Sequence, residues 1–145
     1  MNARQAAVAL AAAALLLGGC GGEKDNDEVA APTPTVTCGD SASAAKLPAA
    51  FPTDLPLPPG TVLTSAKDDG KSITAIGRMP GTIKGTATFF SDRLPKAGYD
   101  LGEGDSEDFE VESHFDGNGF AGYYKARTIG GCDGTLTLAL VLTRE

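Results

Sequence analysis

Downstream of residue 60 apolar and polar positions alternate with a period of two, the pattern of strands buried on one face. Residues 61–66 and 72–79 are β-branched runs separated by Lys67-Asp68-Asp69-Gly70, an Asp-Gly turn composition that predicts a hairpin. Pro80-Gly81 closes the second run, and the period then changes. Ile83, Ala87, Phe90 and Leu94 recur at offsets of four, three and four, with Phe89 and Ala97 beside them and Lys84, Ser91, Asp92 and Lys96 on the other side. This spacing predicts one helix over about 82–94, ended by Pro95, with Gly98 as its C-terminal stop.

Alternation returns at 108–115, where Phe109, Val111 and Phe115 share one face and Asp108, Glu110, Glu112 and His114 the other. Asp116-Gly117-Asn118-Gly119 predicts a turn into a strand over 120–128. A two-residue turn at Asn118-Gly119 sets Glu112 opposite Lys125, Glu110 opposite Arg127 and His114 opposite Tyr123. Shifting the turn one residue earlier sets Glu110 opposite Lys125 and Asp108 opposite Arg127, so both registers match acid to base. The last element, 135–143, is the strongest strand: Leu136, Leu138, Leu140 and Leu142 alternate with Thr135, Thr137, Ala139, Val141 and Thr143. The order ββαβββ predicts an α+β domain, an antiparallel sheet of about five strands with one helix packed on one face.

Upstream the pattern is different. Arg4 precedes an uninterrupted apolar run at 6–17, too short to span a bilayer that needs about 20 residues, and the run ends Leu17-Gly18-Gly19-Cys20. These residues resemble the signal and lipobox of bacterial lipoproteins: an apolar residue three before a cysteine, small residues between, then the cysteine. The resemblance covers residues 1–20 alone and says nothing of the rest. It implies that 1–19 are a cleaved signal peptide and that Cys20 is the lipidation site, thioether-linked to diacylglycerol and often further acylated with a fatty acid such as palmitate. Two or three acyl chains, at about 0.8 kcal/mol per buried methylene, anchor a protein where one chain does not. The implied location is the cell membrane or outer membrane, lipid-anchored and facing the extracytoplasmic side. Gly21 stands where many inner-membrane lipoproteins carry Asp.

Residues 20–60 read as the lipidated cysteine plus a tether, first acidic and small, then rich in proline, with Pro48, Pro52, Pro56, Pro58 and Pro59 excluding helix and central strand. Leu47, Phe51, Leu55 and Leu57 within it are expected to lie against the domain. That leaves 61–145 as the small α+β domain, about 85 residues, a size that buries only about 60–65% of its unfolded surface and benefits from a covalent staple. The chain has 3 Cys. With Cys20 lipidated, Cys38 and Cys132 have one pairing, in a compartment that permits disulfides.

The formal charge of the whole chain is −7, and loss of Arg4 with the signal makes the mature chain more negative. It repels phosphates, so no nucleic-acid partner is expected. The acids Asp100, Glu103, Asp105, Glu107, Asp108, Glu110 and Glu112 lack the glycine and spacing of an EF-hand loop and read as a solvated loop that runs into the solvent face of the third strand. Glu110, Glu112 and His114 share a strand face, but same-face neighbours lie about 6.6 Å apart and Lys125 and Arg127 compete for the carboxylates, so no metal site and no cofactor are expected. There is a single His. Gly39-Asp40-Ser41 resembles the opening of the Gly-Asp-Ser-Leu esterase block, yet Ala42 replaces the leucine and that family's domain is much longer. Gly81-Thr82-Ile83-Lys84-Gly85-Thr86 lacks the Gly-Lys-Thr order of a phosphate loop.

No catalytic constellation is expected, and the chain reads as a non-enzymatic binding module held at the envelope by its lipid. Its partner would be another envelope protein or a cell-wall component, met through Tyr123, Lys125 and Arg127 with the acids facing them. The alternative is a small apolar-ligand carrier with a pocket between helix and sheet, lined by Phe90, Leu94, Phe109, Phe115 and Tyr124. A hydrolase comes third.

Overall fold

A computed structural model describes Cys38 and residues 43–145. Lipidation at Cys20 and the residues Gly39, Asp40 and Ser41 lie outside the described residues. The elements run β1 (Val62–Asp68), β2 (Ser72–Pro80), α1 (Ile83–Arg93), a 3₁₀ turn (Pro95–Ala97), β3 (Asp100–Ser106), β4 (Glu110–Gly117), β5 (Phe120–Ile129) and β6 (Cys132–Arg144). The strands form one six-stranded antiparallel sheet in the order β1-β2-β6-β5-β4-β3. The α+β, one-helix expectation holds, with two corrections: the strands number six rather than five, and the order is ββαββββ. The additional strand is β3, the stretch expected to be an acidic loop. Every one of its seven residues is exposed, so no buried alternation marks it in the sequence.

Local chemistry accounts for the hairpins. In the β1–β2 turn Asp68 accepts from the Gly70 N–H at 2.8 Å, and Asp69 accepts from the N–H groups of Lys71 and Ser72 at 3.0 and 2.7 Å. Arg144, at the far end of the chain, clamps this turn by donating both guanidinium nitrogens to Asp68 and one to the Gly70 carbonyl. In the β4–β5 turn Asn118 (φ 53) and Gly119 (φ 81) both take the left-handed conformation of a type I′ turn. Of the two registers the sequence allows, that turn selects Glu110 with Arg127, Glu112 with Lys125 and His114 with Tyr123. The helix starts where Thr82 Oγ1 accepts from the Gly85 N–H at 3.1 Å, and Gly98, left-handed at φ 88, ends the 3₁₀ turn that follows.

The core lies on one face of the sheet. Ile73, Ala75, Met79, Val111, Phe115, Tyr124, Ala126 and the four leucines of β6 point into it. β6 holds the centre because it has the longest apolar face and gains neighbours on both sides, β2 and β5. Four antiparallel steps separate β2 from β3, so these two strands run in the same direction, and α1 carries the chain across the core face to the far edge. Ile83, Phe90 and Leu94 of the helical stripe are buried there. The Pro-rich segment covers the same face: Phe51 and Leu55 belong to the core and Leu57 packs on it, so the buried interior begins upstream of residue 61. Asp54 clasps this segment to the opposite side by accepting from Tyr99 Oη at 3.1 Å and from Asn118 Nδ2 at 2.6 Å. Cys38 and Cys132 form a disulfide with a Cα–Cα distance of 5.4 Å, as the pairing expected from the sequence.

The Asp68 clamp makes stability depend on acid. Hydrogen bonds from Arg144, then from the Gly70 N–H, hold the Asp68 carboxyl below the usual aspartate range. A group depressed in the folded state contributes stability above its unfolded value, about pH 4, and that contribution is lost as pH falls through the folded value. The melting temperature of the full chain is therefore expected to fall as pH drops below about 4. Asp68→Asn is expected to melt lower at neutral pH and to decline less steeply in acid; parallel melting curves for the two proteins from pH 6 to pH 2 would contradict the assignment.

Candidate functional site

The strand alternation that builds the core leaves the opposite face of the sheet open among the described residues, and registers across the strands set its side chains in rows. Val62, Arg78, Thr137, Arg127 and Glu110 make one row. The next holds Ser65, Ile76, Ala139, Lys125, Glu112 and Asp105, and a third Lys67, Thr74, Val141, Tyr123 and His114. The face therefore has two halves. Toward β1 and β2 it is mixed: Val62 and Ile76, exposed at 42% and 45%, stand among the hydroxyls of Ser65 and Thr74 and the cations Arg78 and Lys67. Toward β4 and β5 it is an ion-pair lattice: Lys125 Nζ reaches Glu110 at 2.9 Å and Glu112 at 3.0 Å, and Arg127 Nε reaches Glu110 at 2.8 Å.

Hydrogen bonds to Glu110 and Glu112 raise the Lys125 pKa, so its charge is retained through the physiological range. Tyr123 lies between the halves, its ring 5.9 Å from His114. Beside it an open depression of about 370 Å³ is floored by Ala121 and walled by His114, Asp116, Val141 and Thr143. Tyr123, Lys125 and Arg127, predicted from their spacing, are thus brought together on one uncovered face. Among the described residues no three His, Cys, Asp or Glu side chains converge as a metal-binding group.

The residues expected to line an apolar pocket are placed differently. Phe90, Leu94, Phe115 and Tyr124 are buried, with Phe90 stacked on Tyr124 at 4.0 Å between ring centroids, so they fill the interior against one another. Phe109 does not join them. β4 begins one residue later, at Glu110, and the Phe109 carbonyl is taken by the Thr128 N–H at 2.9 Å. Phe109 is 47% exposed, with the Arg127 guanidinium 5.8 Å from its ring centroid.

A second surface escaped the sequence reading. Between α1 and the edge strand β3 lie two adjoining depressions of about 500 and 380 Å³, sharing Ala87, Thr88 and Ser106 as walls. Their lining is mixed: Ser91, Gly102, Gly104 and Ser113 are small or hydroxylic, Ile83, Leu101, Val111 and Tyr124 are apolar, Lys84 stands on the helix side, and the acids Asp105, Glu107, Asp108 and Glu112 stand on the strand side. Gly104 is required, because a Cβ there would sit 2.5 Å from the Glu112 carbonyl oxygen and 2.6 Å from Ser113 Cβ. The one signal in the sequence was the alternation of Gly102, Gly104 and Ser106 with Glu103 and Asp105, a period of two without apolar members. Comparison with protein-family models, curated proteins and solved structures finds no match to this chain.

Proposed function

We propose that this chain is a lipid-anchored protein of the cell envelope that works by binding, presenting the uncovered sheet face to another envelope protein. The observation that carries the reading is the composition of that face. An aliphatic strip at Val62, Ile76 and Val141 adjoins side chains of both signs already held in place by one another, so a partner would meet them with little further ordering cost. The anchoring half rests on the lipobox resemblance at Cys20.

One experiment in intact cells addresses both halves. A photo-crosslinking residue at position 123 is expected to give a discrete protein adduct in the membrane fraction. Ile76→Asp should abolish the adduct without changing the amount of protein, and Cys20→Ser should release the chain from the membrane. Retention of Cys20→Ser in the membrane at unchanged mass would refute the anchor, and absence of an adduct sensitive to Ile76 would refute the binding face.

A further inference from the structure

We infer that the outer edge of β3, together with the groove beside α1, is a docking site for an extended basic segment of another protein, which adds to the sheet as a seventh strand. This edge adjoins the open face and shares Asp105 with it, but the inference does not rest on the function proposed for that face.

The backbone geometry is the starting point. The Glu107 N–H donates to the Glu110 carbonyl at 2.8 Å, and β3 and β4 keep this register through Ser106 with Val111, Asp105 with Glu112 and Gly104 with Ser113. Hydrogen-bonded and non-hydrogen-bonded pairs alternate in an antiparallel ladder. Asp105 therefore pairs with β4, while the backbone N–H and C=O groups of Gly104 and Ser106 point away from it, toward the free edge. Among the described residues the outward Ser106 N–H donates to the neighbouring Asp105 carboxylate, at 2.8 Å. The other edge of the sheet differs, since the Leu63 carbonyl on β1 already accepts from the Ala45 N–H. Among the described residues no strand pairs with the outer side of β3.

Side-chain placement then specifies the occupant. A strand added along β3 alternates its side chains between two environments. Those turned toward the helix meet Ala87, Thr88, Ser91 and the part-exposed Leu101, which leave room for small aliphatic groups. Those turned toward the other face meet Asp105, with Glu103, Glu107 and Asp108 close along the chain, and so call for Lys or Arg. An arriving ammonium draws the Asp105 carboxylate off the Ser106 N–H and frees that donor for the incoming backbone. The charge also excludes a second copy of this chain, because pairing two β3 edges would set Asp100, Glu103 and Asp105 against like charges.

The test uses the full chain carrying Cys20→Ser and fluorescent peptides of the same seven-residue length as β3, read by anisotropy. A peptide alternating lysine with valine is expected to bind at least tenfold tighter than one of the same composition with its lysines clustered. Ser106→Pro, which removes an edge N–H and leaves the β3–β4 ladder intact, should weaken the alternating peptide at least tenfold, as should Asp105→Lys. Tyr123→Ala on the open face should leave binding unchanged. Because Ser106→Pro can disturb folding, a peptide N-methylated on alternate amides examines the same hydrogen bonds from the other side and should lose tenfold as well. Equal binding of the clustered peptide, binding indifferent to N-methylation, or no binding of either peptide would overturn the inference.

Discussion

Reducing the Cys38–Cys132 disulfide is expected to lower the unfolding free energy by about 4–5 kcal/mol, the loop-closure entropy returned to the unfolded chain in the chain-entropy model. The large size follows from the 94-residue separation, which makes the closed loop nearly the whole folded unit. For a domain whose total stability falls in the range of about 5–15 kcal/mol, that is about a quarter or more of what holds it folded. The structural setting favours the full effect. Cys132 is buried at the first position of central strand β6, and Cys38 leads into the Pro-rich segment whose Phe51 and Leu55 close the core. Urea unfolding of the full chain, oxidised and reduced, measures it, with Cys38→Ala/Cys132→Ala as the reductant-free control. A difference below about 1 kcal/mol would show that the segment packs as firmly without the bridge.

Phe90→Ala is expected to cost about 3–5 kcal/mol, close to the contribution of the disulfide. The ring is fully buried, stacks on Tyr124 at 4.0 Å and 20°, and meets Phe89 edge-on at 5.3 Å. Truncation therefore leaves a cavity where the helix meets β5, a strand held by ladder partners on both sides and so unable to move in and fill it. Phe90→Leu should cost less, since it restores part of the volume. In a double-mutant cycle with Tyr124→Leu, a coupling of about 0.5–1.5 kcal/mol is expected from the stacked pair. A cost below about 1 kcal/mol for Phe90→Ala, measured by chemical denaturation, would mean that helix and sheet are not packed through this ring.

The open face and the β3 groove differ in how much of each could be read in advance. Tyr123, Lys125 and Arg127 were legible because a short turn fixes register and register fixes facing pairs: Asn118-Gly119 puts Glu110 and Glu112 against the two cations. The groove was hidden because its parts are remote in sequence. Ala87 comes from the apolar stripe of the helix and Thr88 from its exposed side, Ser106 comes from a strand with no buried residue, and only the crossover of α1 to the far edge sets them side by side. Phe109 shows the same limit at one residue. Its alternation with Val111 and Phe115 predicted burial, but the strand starts after it and the turn directs its ring to Arg127.

What this chain determines by sequence alone is local: the β1–β2 and β4–β5 hairpins, the helix over about 82–94 with its Gly98 stop, the leucine-alternating last strand and a single candidate pairing for two cysteines. Each depends on side chains within a few positions, or on elimination, and so survives without knowledge of the fold. The tertiary structure alone decided that β6 inserts between β2 and β5, that Phe51 and Leu55, expected only to lie against the domain, are members of its core, and that the acidic stretch of Asp100–Ser106 is a strand. The physical reason is common to all three. Burial there is conferred by neighbours distant in the chain, and β3 takes its conformation from hydrogen bonds to β4 rather than from any apolar face of its own.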